Sequence, residues 1–195
     1  IDKFLNSGAD KVFINSAAIK KPKFLLEASK EFGSANICLS IETNKYGNNK
    51  DYYCFINNGR DASKKQVINW IKEAQQLGVG EIMLTSIEKE GMMNGFDIEL
   101  IETISESVSV PLIIHGGAGS CDDILRVLRY DKVSAVAISS LLHYSVLREK
   151  DFKYHSKDEG NSMFLDLKRK KETFEKINIL SIKKFLNENG IKVRL

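Results

Sequence analysis

The chain has 195 residues, 43% of them hydrophobic, with 29 Lys plus Arg against 26 Asp plus Glu and a net charge of +3. That size suits one sizeable core and a single domain, and so mild a charge argues against a dedicated nucleic-acid binder. No apolar run reaches membrane-spanning length and no signal peptide is visible, while Cys38, Cys54 and Cys121 lack metal-ligand spacing, which points to reduced thiols, no metal site and a cytoplasmic setting.

Along the chain, "KVFIN" (11–15) is short, apolar and β-favouring, and reads as a strand. Pro22 can open a helix, where its missing N–H does no harm. Leu25, Leu26, Ala28, Ser29 and Phe32 then recur at helical spacing until Gly33 ends the run. "NICLSIE" (36–42) is the next strand, "KYGNNK" a turn cluster, and "DYYCFIN" (51–57) a strand returning from it, so the pair reads as an inserted hairpin. Ser63 begins a predicted helix with Val67, Trp70, Ile71, Ala74 and Leu77 on one face and Gly78 as its stop. "EIMLTSI" (81–87) is a strand, and Asp97 caps a helix with Leu100, Ile101 and Ile104 inward. "VPLIIH" (110–115) is a strand, and Ser120 with Asp123 makes a capping-box-like start for a helix from 121 to 130. "SAVAIS" (134–139) is the last strand, followed by a polar stretch, a helix near 161–175 that includes the solvated run "LKRKKE", and a helix over 181–189.

Five strand–helix units follow one another, and their strands are nearly all apolar, as in strands covered on both faces. The pattern predicts a parallel α/β sheet, either doubly wound or part of a (β/α)8 barrel. Five units cannot close an eight-stranded barrel, so open edges are expected at 11–15 and 134–139. The start at Ile1 rather than Met fits a fragment from which three units are absent.

In either architecture, ligands bind beyond the C-terminal ends of the strands. Those ends carry Asn15–Ser16, Glu42–Thr43–Asn44, Thr85–Ser86 followed by "IEKEGMMNGFD", "HGGAGS" from His115, and Ser139–Ser140. "GGAGS" lacks both the Lys-Ser/Thr of a P-loop and the spacing of a dinucleotide fingerprint. It does lie between a strand and a helix N-terminus, where unpaired N–H groups favour an anion. A tight turn needing positive φ explains one glycine, but not Gly116, Gly117 and Gly119 together. With Ala118 and the neighbouring Ser139 and Ser140, the stretch reads as a phosphate cradle. Glu42 and Glu88 stand at strand ends, where facing carboxylates can serve as general acid and base, with surface charge as the bland reading. His115 reads as catalytic, as a donor to the phosphate or as a packed residue; His143 reads as one of the latter two.

"GADKVFINSAAIKKPKFLLEASKEFGS", "GVGEIMLTSIEKEGMMNGFDIELI", "VPLIIHGGAGS", "AISSLLHY" and "FLNENGIKVR" together resemble the cyclase subunit of imidazole glycerol phosphate synthase, the HisF-like family. The resemblance implies a (β/α)8 TIM barrel, here the last five βα units in one N-terminally incomplete domain spanning 1–195. It implies ammonia delivered by a glutaminase subunit in a heterodimer, a substrate with a phosphate at each end, and no cofactor. By position, Gly91, Gly117, Ala118 and Ser140 would hold one phosphate, and Asn15 and Ser16 would contribute to the other. Asp10, Lys11 and Glu81 would lie on the opposite face, at the glutaminase and the ammonia gate.

The departures are specific. Glu42 replaces a catalytic Asp of the family, His115 replaces a Ser, and "EKEGMM" replaces a loop containing Thr. The family's other catalytic Asp belongs to the first of the absent units, a region on the order of 90 residues. A misplacement of about 1 Å at a catalytic group can cost roughly a hundredfold. A helical insertion over 146–178, containing "EGN" at Glu159–Asn161, resembles a divergent branch linked to acetamidino modification of surface sugars. The expected function is therefore an ammonia-using synthase acting on a phosphorylated substrate, diverged toward amidine formation on a surface-polysaccharide sugar. The alternative is a non-catalytic phosphate-binding subunit or remnant that scaffolds a glutaminase.

Overall fold

The computed structural model describes residues 1–47, 51–146 and 177–194. Helices α1 (Asp2–Asn6), α2 (Ser16–Lys20) and α3 (Lys23–Phe32) surround strand β1 (Val12–Ile14). Strands β2 (Ile37–Tyr46), β3 (Asp51–Ile56) and β4 (Asp61–Gln66) lead into α4 (Val67–Gln76). Then come β5 (Glu81–Ser86), α5 (Ile98–Ile104), β6 (Leu112–His115), α6 (Cys121–Leu128), β7 (Val133–Ala137), α7 (Ser140–Val146) and α8 (Ile179–Glu188). The chain is thus an α/β protein with one mostly parallel sheet.

Strands β1, β2, β5, β6 and β7 are parallel neighbours in that order. Strand β2 is long enough to pair twice along one edge: its first residues take β1 (Val12 with Ile37), and its last take antiparallel β3 (Glu42 with Phe55, Tyr46 with Asp51). The expected hairpin is in fact a three-stranded meander, because β4 continues it. This corrects the helix start at Ser63: residues 61–66 are strand, and the helix begins at Val67. "DASKKQ" has no apolar face to signal a strand, and it needs none at a sheet edge. The reversal at Asn57–Asn58–Gly59, all at positive φ, sends it back along β3. The predicted helix near 161–175 and most of the 146–178 insertion lie outside the described residues.

The two faces of the parallel sheet differ. Leu39, Ile41, Ile82, Leu84, Leu112 and Ile114 point to one side and are buried against Leu25, Trp70, Ile71, Leu100, Ile101 and Ile124 of the helices. Each such Leu or Ile contributes roughly 1.5–3 kcal/mol relative to exposure. The alternate residues, in register across the strands, form the second face. Ser40, Glu42, Met83, Ile113, Ala135 and Ala137 are only half-buried there, and Phe13 is 46% exposed. We call this the inner face.

Candidate functional site

The loops after β5, β6 and β7 surround a small open pocket of about 80 Å3 at the C-terminal ends of the strands. It is lined by Gly91, His115, Gly116, Gly117, Ala118, Ser139 and Ser140, with Glu90 and Met93 completing the wall. Gly116, Gly117 and Ala118 are buried, yet among the described residues the N–H groups of Gly117, Ala118, Ser139 and Ser140 find no hydrogen-bond partner. Buried unpaired N–H groups are rare unless something external accepts from them. Two such buried donors, on Gly117 and Ala118, with two more on exposed Ser139 and half-buried Ser140 across the pocket, suit an anion the size of a phosphate group.

The glycines also have a packing role. A Cβ on Gly117 would lie 2.2 Å from the Gly95 carbonyl oxygen, and one on Gly119 2.1 Å from that of Met93. A Cβ on Gly116 would lie 2.8 Å from the Ser86 oxygen. The Gly95 N–H donates to the Gly117 carbonyl at 2.8 Å, so the loop after β6 is seated directly on the loop after β5. Gly116 and Gly117 adopt φ of 96° and 111°, which other residues rarely reach.

The N-terminus of α6 is less available than its position suggests. Ser120 accepts from the Asp123 N–H, and Asp123 accepts from the Gly119 N–H at 3.0 Å. Asp123 therefore places a carboxylate where the helix end would draw an anion. The open donors lie one step back, at Gly117 and Ala118.

Below the pocket, Glu42, Thr85, His115 and Ala137 occupy one level of the inner face, strand by strand. The Thr85 hydroxyl and His115 Nδ1 are 3.1 Å apart. Oε2 of Glu42 is buried and has no hydrogen-bond partner. Nor has Oδ1 of Asn15, whose amide nitrogen donates to the Phe55 carbonyl at 3.3 Å. Phe55 is also the residue across from Glu42, so the two unmet acceptors converge on one place in the sheet. The Ser16 hydroxyl accepts from the Asn57 N–H at 2.9 Å and is tied to the turn before β4.

The opposite end of the inner face is built differently. Lys11 Nζ lies 2.7 Å from Glu81 Oε2, and the Cys38 thiol donates to the same oxygen at 3.1 Å. That hydrogen bond from Lys11 raises its pKa above the ordinary lysine value. Burial, then the Glu81 contact, pushes the Cys38 thiol up to about 12. Asp10 stands beside them, exposed.

Glu88 is exposed and lines a separate groove with Lys45, Tyr52, Asp97 and Glu99, so the pocket does not bring it together with Glu42. That groove is closed by its own contacts: Lys45 bridges Glu99, and Asp97 accepts from Ser86, Tyr52 and the Leu100 N–H. Thr85 is the participant that sequence reasoning left without a role. Its only signal was being a hydroxyl at a strand end, and the histidine it meets is 30 residues away. Glu90 and Met93 are pocket wall. His143 is exposed and lies edge-on to Tyr144.

A profile of the family described as "Histidine biosynthesis protein" matches residues 1–148. Imidazole glycerol phosphate synthase subunit HisF of Sulfolobus acidocaldarius is 36% identical over 195 residues, all of this chain and 65% of its own length. The subunit of that name from Prochlorococcus marinus is 39% identical over 154 residues, 78% of this chain and 60% of its own length. That from Hydrogenobaculum is 34% identical over 195 residues, again 65% of its own length. The chain thus spans between 60% and 65% of the length of these relatives.

Proposed function

The chain belongs to the histidine biosynthesis protein family, and on that premise we propose that it is a HisF-like synthase subunit that joins ammonia to a phosphorylated substrate at the Glu42 end of the inner face. The observation that carries this is the contrast along that face. One end holds an unpartnered carboxylate beneath four free N–H donors, and the other holds a closed Lys11–Glu81–Cys38 cluster. The pocket anchors the phosphate of the substrate. Glu42, one level down, takes a proton from the attacking nitrogen and returns it to the departing oxygen. Ammonia from a glutaminase partner enters past Lys11 and Glu81. Between the two ends lie Ser40, Met83, Ile113 and Ala135, neutral residues that would not hold it as ammonium.

Further βα units, such as the longer relatives have room for, would close the barrel over the half-buried inner face and Phe13. Three departures support a diverged substrate, an amidine-forming reaction on a surface sugar: Glu42, His115 and the segment around Glu159–Asn161. A scaffold role is the second reading, favoured by the placement of Glu88 in a groove away from Glu42.

The test is ammonia-dependent turnover of phosphorylated and amide-bearing sugars by the protein with its glutaminase. Product formation that is lost in Glu42→Gln, while substrate still binds, supports the synthase. Glutaminase stimulation with no product from any substrate supports the scaffold instead.

A further inference from the structure

His115 is the one titratable side chain among the described residues that both lines the phosphate pocket and stands on a strand of the sheet. Its Nδ1 faces the Thr85 hydroxyl at 3.1 Å, which leaves Nε2 as the nitrogen available to the pocket. A hydroxyl can donate or accept. When the imidazole is neutral with its proton on Nε2, Thr85 donates to Nδ1. When the ring is protonated, Thr85 rotates and accepts from Nδ1–H. The ring keeps its orientation in both states, and in both it presents an N–H at Nε2. What changes is the charge behind that N–H.

We propose that His115 is the charge-bearing arm of the phosphate pocket, so that the pocket discriminates for a doubly charged anion and holds it most tightly when the imidazole is protonated. This rests on the reading of the pocket as a phosphate site. Among the described residues, the open backbone donors at the pocket, on Gly117, Ala118, Ser139 and Ser140, are neutral groups. They hydrogen-bond a tetrahedral anion but leave most of its charge uncompensated, and a charge-assisted hydrogen bond is roughly twice as strong as a neutral one.

Among the described residues, these other charged and titratable groups stand near the ring. From the loop after β5, Glu90 is an exposed wall residue, and Lys89 shows its Cβ to Gly117. From α6, Asp123 is engaged by the Gly119 N–H. From α7, His143 is exposed and lies against Tyr144. From β2, Glu42 shares the level of His115, two strands away across Thr85. Among the described residues, His115 is the one histidine on the pocket wall.

Sulfate is the probe, because it stays doubly charged throughout that range and any pH dependence then belongs to the protein. Calorimetric titration of the protein with sulfate from pH 5.5 to 8.5 should show affinity falling by about tenfold as pH rises. His115→Asn should bind more weakly at pH 6 and give a flat profile. Inorganic phosphate should show a profile peaked near neutrality, because the second ionisation of phosphate, which favours binding as pH rises, opposes the loss of the imidazole charge. The imidazole proton resonances of the wild-type protein should titrate at higher pH with sulfate than without it, a readout that needs no variant. Sulfate binding with no pH dependence, or the same dependence in His115→Asn, would overturn the assignment while leaving the pocket. Binding of neither sulfate nor phosphate at any pH would remove the pocket reading itself, and this one with it.

Discussion

The two ends of the inner face are made from the same five strands and differ in what they leave unmet. At the N-terminal end, Lys11, Glu81 and Cys38 satisfy one another, with distances of 2.7 and 3.1 Å to a single carboxylate oxygen. At the C-terminal end, Glu42 and Asn15 each keep a buried acceptor without a partner, and four backbone donors stand open above them. Unpaired buried polar groups cost about 1–3 kcal/mol each, so a fold retains several in one place only where something else pairs with them. Under the proposed function, the self-sufficient end controls passage and the unsatisfied end holds the ligand.

The largest test of that contrast is Glu42→Gln. The amide keeps the shape and loses the proton chemistry. Turnover should fall between about a hundredfold and ten-thousandfold, with substrate binding measured separately and changed little. A loss confined to KM would assign Glu42 to binding instead.

Next in size is Gly117→Val. The side chain would start 2.2 Å from the Gly95 oxygen, in a backbone conformation that valine resists. We expect a loss of about 3 kcal/mol in a urea melt, and anion binding weakened beyond what that instability explains, because the two loops part. The mirror experiment at the satisfied end is Lys11→Met. This pair is partly exposed, at 42% for the Lys11 side chain and 13% for Glu81, and Glu81 still accepts from Cys38. Stability should change by less than about 1 kcal/mol. The ratio of glutamine-dependent to ammonia-dependent turnover should nevertheless shift, since under the proposed function only the first uses that end.

The smallest effect is a pH dependence of stability. Burial pushes the thiols of Cys38 and Cys54 up to about 12. In the unfolded chain they deprotonate above about pH 8.5. Rising pH therefore favours the unfolded state. The contribution of the two thiols is complete below pH 8.5 and is lost progressively toward about 12. The melting temperature should decline through that window, with a shallower slope in a Cys38→Ser, Cys54→Ala double variant.

Much of this was legible in the sequence because its signals are local. Apolar runs gave the five parallel strands, Gly33 and Asp97 marked helix ends, and the strand-end list already contained Asn15, Glu42, His115 and Ser139–Ser140. Strand β4 was hidden because a polar edge strand has no hydrophobic period. It forms only by pairing with β3 across the Asn57–Gly59 turn. The reason for three glycines was hidden too. Sequence suggested room for a phosphate, whereas a Cβ on Gly116, Gly117 or Gly119 would first meet a carbonyl oxygen at the end of β5 or in the loop after it.

By itself, then, the sequence determined which segments form the parallel strands, which strand ends carry chemistry and which family the chain resembles, because these follow from residue type and spacing. Only the tertiary structure decided which of those residues meet. Thr85 reaches His115 because β5 and β6 share a register, Glu42 is left unpaired because its level of the inner face has no partner for it, and Glu88 turns into another groove. Neighbourhood across strands depends on register and loop packing between residues far apart in the chain, and no local pattern encodes it.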